Sequence, residues 1–162
     1  MVKKVLVAYF SASGNTREIA KKIAQATHAD LYEIKPLEPY TKADLNWMDK
    51  NARTTQEMQD HNSRPSVAQQ ELAITNYQLI FLGFPIWWYV APTIVNSFLE
   101  QYDFANKKIV LFATSGGSGF GETIKYLKPS VADSANITAG EVFNHHSSFE
   151  QIKQWTDQIL SA

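Results

Sequence analysis

The chain has 162 residues, with 15 Lys+Arg against 16 Asp+Glu, a formal net charge of −1, a pI near 6.4 and no Cys. That length suits one domain spanning residues 1–162, which buries roughly 70% of the surface its unfolded chain exposes. No polybasic signature points to nucleic acid or an anionic membrane, and without cysteine a disulfide framework, a thiol nucleophile, thiolate zinc and cysteine-ligated clusters are excluded.

Val5-Leu6-Val7-Ala8-Tyr9 opens the chain as a short apolar run. It is followed at once by Ser11-Ala12-Ser13-Gly14-Asn15-Thr16, so it reads as a strand and not as the core of a secretory signal. No window approaches the ~18 apolar residues that span a bilayer. The expectation is a soluble, cytoplasmic protein. A helix beginning near Asn15 or Thr16 carries Ile19, Ala20, Ile23 and Ala24 as an i, i+4 stripe. Asp30 to Lys35 is a weaker strand candidate. The polar stretch from Asp44 to Asn62 is too long for a bare connection and is predicted helical, with Leu45, Met48 and Met58 on one side.

Leu79-Ile80-Phe81-Leu82 is the next strand. A helix over Pro92 to Tyr102 follows, with Pro near its start and Ile94, Val95, Phe98 and Leu99 as its apolar set. Ile109-Val110-Leu111-Phe112-Ala113 is another continuous apolar strand, and Glu122 to Lys128 a short helix. Ile137 to Phe143 reads as the last strand, and Phe149, Ile152, Trp155 and Ile159 mark the last helix. Strands that are apolar throughout, and not every second residue, are covered on both faces. The fold class is therefore α/β, a five-stranded parallel sheet with helices on each side.

Three loops carry chemistry, each directly after a strand. Ser11, Ser13, Gly14, Asn15 and Thr16 open the first helix, where backbone N–H groups and the positive end of the helix dipole converge. Ser, Asn and Thr also favour ordinary helix starts, yet four of them around a Gly suit a phosphate dianion without Lys or Arg. Pro85-Ile86-Trp87-Trp88-Tyr89 ends the middle strand with three aromatics in a row, flat surfaces for a conjugated ring. Ser115-Gly116-Gly117-Ser118-Gly119 follows the next apolar strand and exposes N–H groups to a ring's carbonyls and nitrogens.

Competing sites are weaker. No Gly-Lys pair exists for a P-loop, and the third Gly of a dinucleotide fingerprint is replaced by Glu122. No G-x-S-x-G elbow supports a serine hydrolase. His145 and His146 are adjacent and cannot face one way on a strand, so no metal site is expected. His28 and His61 read as surface residues, and Arg17 as a solvent-facing helix residue beside the phosphate loop. No catalytic side chain is assigned. A phosphate site, an aromatic platform and an amide-rich loop together suit a phosphorylated flat heterocycle, and FMN is the economical choice.

Ser11-Ala12-Ser13-Gly14-Asn15-Thr16 resembles the FMN-phosphate loop of the flavodoxin family, and the order of the three loops extends the resemblance over essentially the whole chain. The resemblance implies sheet order 2-1-3-4-5 and noncovalent FMN. It implies phosphate contacts from Ser11, Ser13, Gly14, Asn15 and Thr16, and ring contacts from Pro85 to Tyr89 and Ser115 to Gly119. Phe84 to Pro92, followed by Phe98, and Thr114 to Gly119 are also similar to loops of flavodoxin-like NAD(P)H:quinone reductases. Electron-shuttle flavodoxins are usually strongly acidic and often place a Gly beside the flavin ring; the net charge of −1 and the Gly-free Pro85–Tyr89 depart from both. The implied roles are electron transfer through FMN with a redox partner protein, or NAD(P)H-dependent reduction of a small acceptor such as a quinone. A non-catalytic phosphate-ligand module is the third. Monomer and homodimer both fit.

Overall fold

The apolar runs form five parallel strands in the order β2-β1-β3-β4-β5. They are β1 Val5–Tyr9, β2 Asp30–Glu33, β3 Leu79–Pro85, β4 Lys108–Thr114 and β5 Asn136–Phe143. Between and after them lie α1 Asn15–Thr27, α2 Arg53–Gln59, α3 Thr93–Gln101, α4 Thr123–Leu127 and α5 Phe149–Ser161. This is a computed structural model, and it describes residues 4–68, 71–115, 118–144 and 146–161. Among the described residues no helix is long and apolar enough to cross a membrane.

Alternation along each strand feeds two cores. On β1, Val5, Val7 and Tyr9 pack with Ile19 and Ile23 of α1 and Ile152 of α5. Leu6 and Ala8, with Phe10 just beyond the strand, point the other way, toward Ile94, Val95, Phe98 and Leu99 of α3. Both faces of β1, β3 and β4 are buried, which is why those strands are apolar at nearly every position. Strand β5, at the sheet's edge, buries only Ile137 and Phe143, and its pairing with β4 shifts between Leu111 and Phe112. Gly140 is the residue passed over there, and a Cβ on it would press into the Leu111 carbonyl and the Trp155 ring.

The stretch from Asp44 to Asn62 is helical only over Arg53–Gln59. Short polar side chains give the backbone ahead of α2 an alternative: Asn46 Oδ1 accepts from Met48 N–H at 3.2 Å and Asp49 Oδ1 from Asn51 N–H at 2.9 Å. Such local bonds compete with helix. Met58 is buried while Met48 is 73% exposed, so the predicted one-sided apolar stripe does not form.

Candidate functional site

Strands β1, β3 and β4 are neighbours, and their carboxyl ends are level, with Tyr9 beside Gly83 and Pro85 beside Thr114. The loops that leave them therefore meet above one edge of the sheet. Backbone bonds continue the ladder past the strand ends: Phe10 N–H donates to Gly83 O at 2.9 Å and Ile86 N–H to Thr114 O at 3.0 Å.

In the first loop, Gly14 adopts φ +98° and caps α1 without a side-chain bond. Ser11 turns inward, its Oγ accepting from the N–H groups of Gly14 at 3.1 Å and Arg17 at 3.2 Å. Thr16 is buried, and its hydroxyl shares a 2.7 Å hydrogen bond with that of Thr114 at the end of β4. Ser13 and Asn15 are the exposed polar side chains of the loop. Arg17 bonds Glu33 at 2.9 Å, so its charge is committed to β2.

The second loop is a tight reversal. Trp87 and Val90 exchange backbone hydrogen bonds at 3.0 and 3.1 Å, and Trp88 and Tyr89 between them have φ of 49° and 68°. Both central residues at positive φ is the arrangement of a type I′ turn, which bulky side chains rarely adopt. Gly121, φ +54°, lies against this turn, and a Cβ there would fall on the Tyr89 carbonyl oxygen. The turn leaves Trp88 and Tyr89 exposed, while Trp87 is half-buried against the α3 core.

A cleft of about 650 Å³ is lined by Ile86, Trp87, Trp88, Tyr89, Ser115 and Ser118, together with Trp47. A pocket of about 200 Å³ adjoins it, lined by Ser13, Pro85, Trp87 and Trp88 with Ala12, Leu45, Trp47 and Thr54. The structure thus brings together residues of all three expected loops. Ser11, Gly14, Asn15, Thr16 and Gly119 belong to those loops but do not line either cavity. Gly116 and Gly117 lie outside the described residues. Ser115 Oγ accepts from Ser118 N–H at 2.7 Å across that part of the loop.

Sequence reasoning missed Trp47, Leu45 and Thr54. The available signal was a tryptophan in a polar stretch; Trp47 is 68% exposed and belongs to both cavities. Among the described residues, none that lines either cavity is charged. Nearby, Tyr40 donates to Glu57 at 2.6 Å; burial, then this bond, pushes its phenol up from the ordinary 10, so it stays a donor at neutral pH. Among the described residues no three or more His, Asp or Glu are grouped to hold a metal ion.

A family model described as Flavodoxin matches residues 4–159. The chain belongs to the flavodoxin family. Its strand order is that expected from the resemblance, and solved structures agree. A candidate flavoprotein from Bacteroides uniformis ATCC 8492 is 43% identical, over 97% of this chain and 99% of its own, with a TM-score of 0.90. Another, from Bacteroides eggerthii DSM 20697, is 40% identical over 98% and 99%, with a TM-score of 0.89. A flavoprotein in complex with FMN from Lactobacillus acidophilus NCFM is 22% identical over 96% and 99%, TM-score 0.67, a likeness of fold alone. No curated protein matches. In this flavodoxin-family chain, Ala12 and Ser13 of the loop before α1 share a pocket with Trp87 and Trp88 of the aromatic turn.

Proposed function

We propose that this chain binds FMN noncovalently and transfers electrons through it. The observation that carries the reading is the junction of the two cavities: the loop at the start of α1 opens into the pocket that continues as an aromatic-walled cleft. The donor set fits the group. A helix N-terminus with Ser13 and Asn15 offers neutral donors to a phosphate dianion, while Ser11 holds the Gly14 and Arg17 amides in place. Trp87, Trp88 and Tyr89 offer the ring a flat, apolar surface, with Trp47 facing the same space.

When bound, FMN supplies one- and two-electron redox chemistry. The chain orients the ring, keeps water from its apolar faces and sets the electrostatics around it. Uncharged walls disfavour added negative charge on the ring, which lowers its reduction potential. The reading is tested by titrating the protein into FMN and into riboflavin, following flavin fluorescence. FMN is expected to bind ~10- to 100-fold more tightly, the worth of charge-assisted hydrogen bonds to the phosphate. Failure to take up FMN would leave a phosphate-ligand module of another kind.

The partner reading divides in two. A redox protein is the expected partner of an electron carrier. The described lining of the cleft, which is uncharged, also suits NAD(P)H-dependent reduction of a quinone or free flavin, because none of those residues steers a charged protein surface. Steady-state oxidation of NAD(P)H with a quinone acceptor separates the second from the first.

A further inference from the structure

Three aromatic rings meet at the cleft wall. Phe10, Tyr40 and Trp87 meet pairwise, each pair with ring centroids 5.6 Å apart and planes at 63° to 90°. Phe10 is held by the end of β1, through its N–H bond to Gly83. Trp87 belongs to the wall itself and lines both cavities. Tyr40 lines neither, yet its hydroxyl donates to Glu57 Oε1 at 2.6 Å. The other oxygen of Glu57 accepts from Arg53 Nε at 2.9 Å. The Arg53 guanidinium then returns to the start, lying 3.9 Å from the centroid of the Tyr40 ring and donating to Glu38 O at 2.7 Å.

An exposed i, i+4 ion pair on one turn of helix contributes little. Here both partners are mostly buried, with side-chain exposures of 22% and 14%. Carboxylate and guanidinium each spend a second contact on the same phenol ring, one at its hydroxyl and one on its face. We propose that Arg53, Glu57 and Tyr40 form a positioning unit that sets the angle of the Trp87 indole. Through it they set the ring half of the cleft, independently of the phosphate loop. The unit rests on the flavin reading only for what the wall contacts; the placement of Trp87 rests on the chain's own ring contacts.

Tyr40→Phe keeps the ring and removes the donor. FMN and riboflavin affinities should then fall by the same factor, about three- to tenfold, the worth of one such hydrogen bond. The inhibition of FMN binding by inorganic phosphate should not change. Glu57→Gln keeps an acceptor for the phenol and should retain most of the affinity; Glu57→Ala should match Tyr40→Phe. In the ligand-free protein, Tyr40→Phe should alter the near-ultraviolet circular dichroism in the tryptophan region, and the change should vanish in a Trp87→Phe background. Unchanged spectra together with unchanged affinities overturn the unit, as does a loss confined to FMN, which would move the effect to the phosphate side. If the wild-type protein takes up neither flavin, the functional reading fails, and the Tyr40/Trp87 spectral comparison still decides the unit.

Discussion

The two walls of the recess are built in opposite ways. The loop from Ser11 to Thr16 is contiguous: its turn comes from Gly14 at φ +98°, its internal bonds run from Ser11 to amides three and six residues away, and one helix start supplies its dipole. The aromatic wall is assembled. Trp47 comes from the turns before α2, Trp87 to Tyr89 from the end of β3, and Ser118 from the loop after β4. It also holds two bulky residues at positive φ, which the loop with its glycine avoids. A local wall tolerates change around it, whereas an assembled wall depends on contacts from distant parts of the chain.

The largest effect that sharpens this contrast should come from Gly121, far in sequence from the turn it supports. Gly121→Ala imposes a left-handed conformation on a residue with a Cβ and drives that Cβ onto the Tyr89 carbonyl. It should destabilise the fold by about 2 kcal/mol, measured by urea unfolding, and weaken riboflavin as much as FMN. A loss confined to FMN would break the division of labour. Next, Trp88→Ala removes a ring that lines both cavities and is 42% exposed. FMN affinity should fall about tenfold, the worth of one aromatic stacking partner, and the reduction potential should rise as the ring becomes wetter. Unchanged affinity and potential would remove Trp88 from the site.

What could be read from sequence follows the same division. Ser11 to Thr16 was legible because strand, turn and helix start are adjacent, and the continuous apolar strands announced a sheet buried on both faces. The direction of each side chain within the loop was not, since Thr16 is turned into the protein toward Thr114, a partner 98 residues away. Trp47 was hidden by its setting. Its stretch has helical composition, but Asn46 and Asp49 close local turns that no periodicity reveals, and its approach to Trp87 depends on packing between distant segments. The strain at Trp88 and Tyr89 was equally invisible, because neither residue type advertises positive φ.

pH separates the walls from opposite sides. A phosphate monoester with a second pKa near 6 loses its dianion on acidification, so FMN affinity should fall about fourfold between pH ~7.5 and ~5.5 while riboflavin affinity holds. Parallel losses for both ligands would show that the phosphate is not read as a dianion. On the alkaline side, burial and the bond to Glu57 raise the Tyr40 phenol above its ordinary value of 10. A phenol that holds its proton more tightly when folded contributes stability that is complete below that ordinary value and is lost as the pH rises above it. Resistance to urea unfolding should therefore begin to fall above pH ~10, and Tyr40→Phe should remove part of that dependence.

The smallest expected effect isolates the turn's strain from its rings. Tyr89 is 67% exposed and sits at φ +68°, so its side chain has little packing to lose and its backbone something to gain. Glycine relieves a left-handed penalty of about 1–2 kcal/mol but returns part of it through the greater freedom of the unfolded chain. Tyr89→Gly should then stabilise the protein by about 0.5 kcal/mol, a rise in Tm of ~1–2 °C for a chain of this length, read by calorimetry. Flavin affinity should fall at the same time, because Tyr89 lines the cleft. Opposite signs for stability and binding are what a strained residue kept for its ring produces. A variant that is both less stable and unchanged in binding would show that Tyr89 serves packing alone, and the aromatic wall would then end at Trp88.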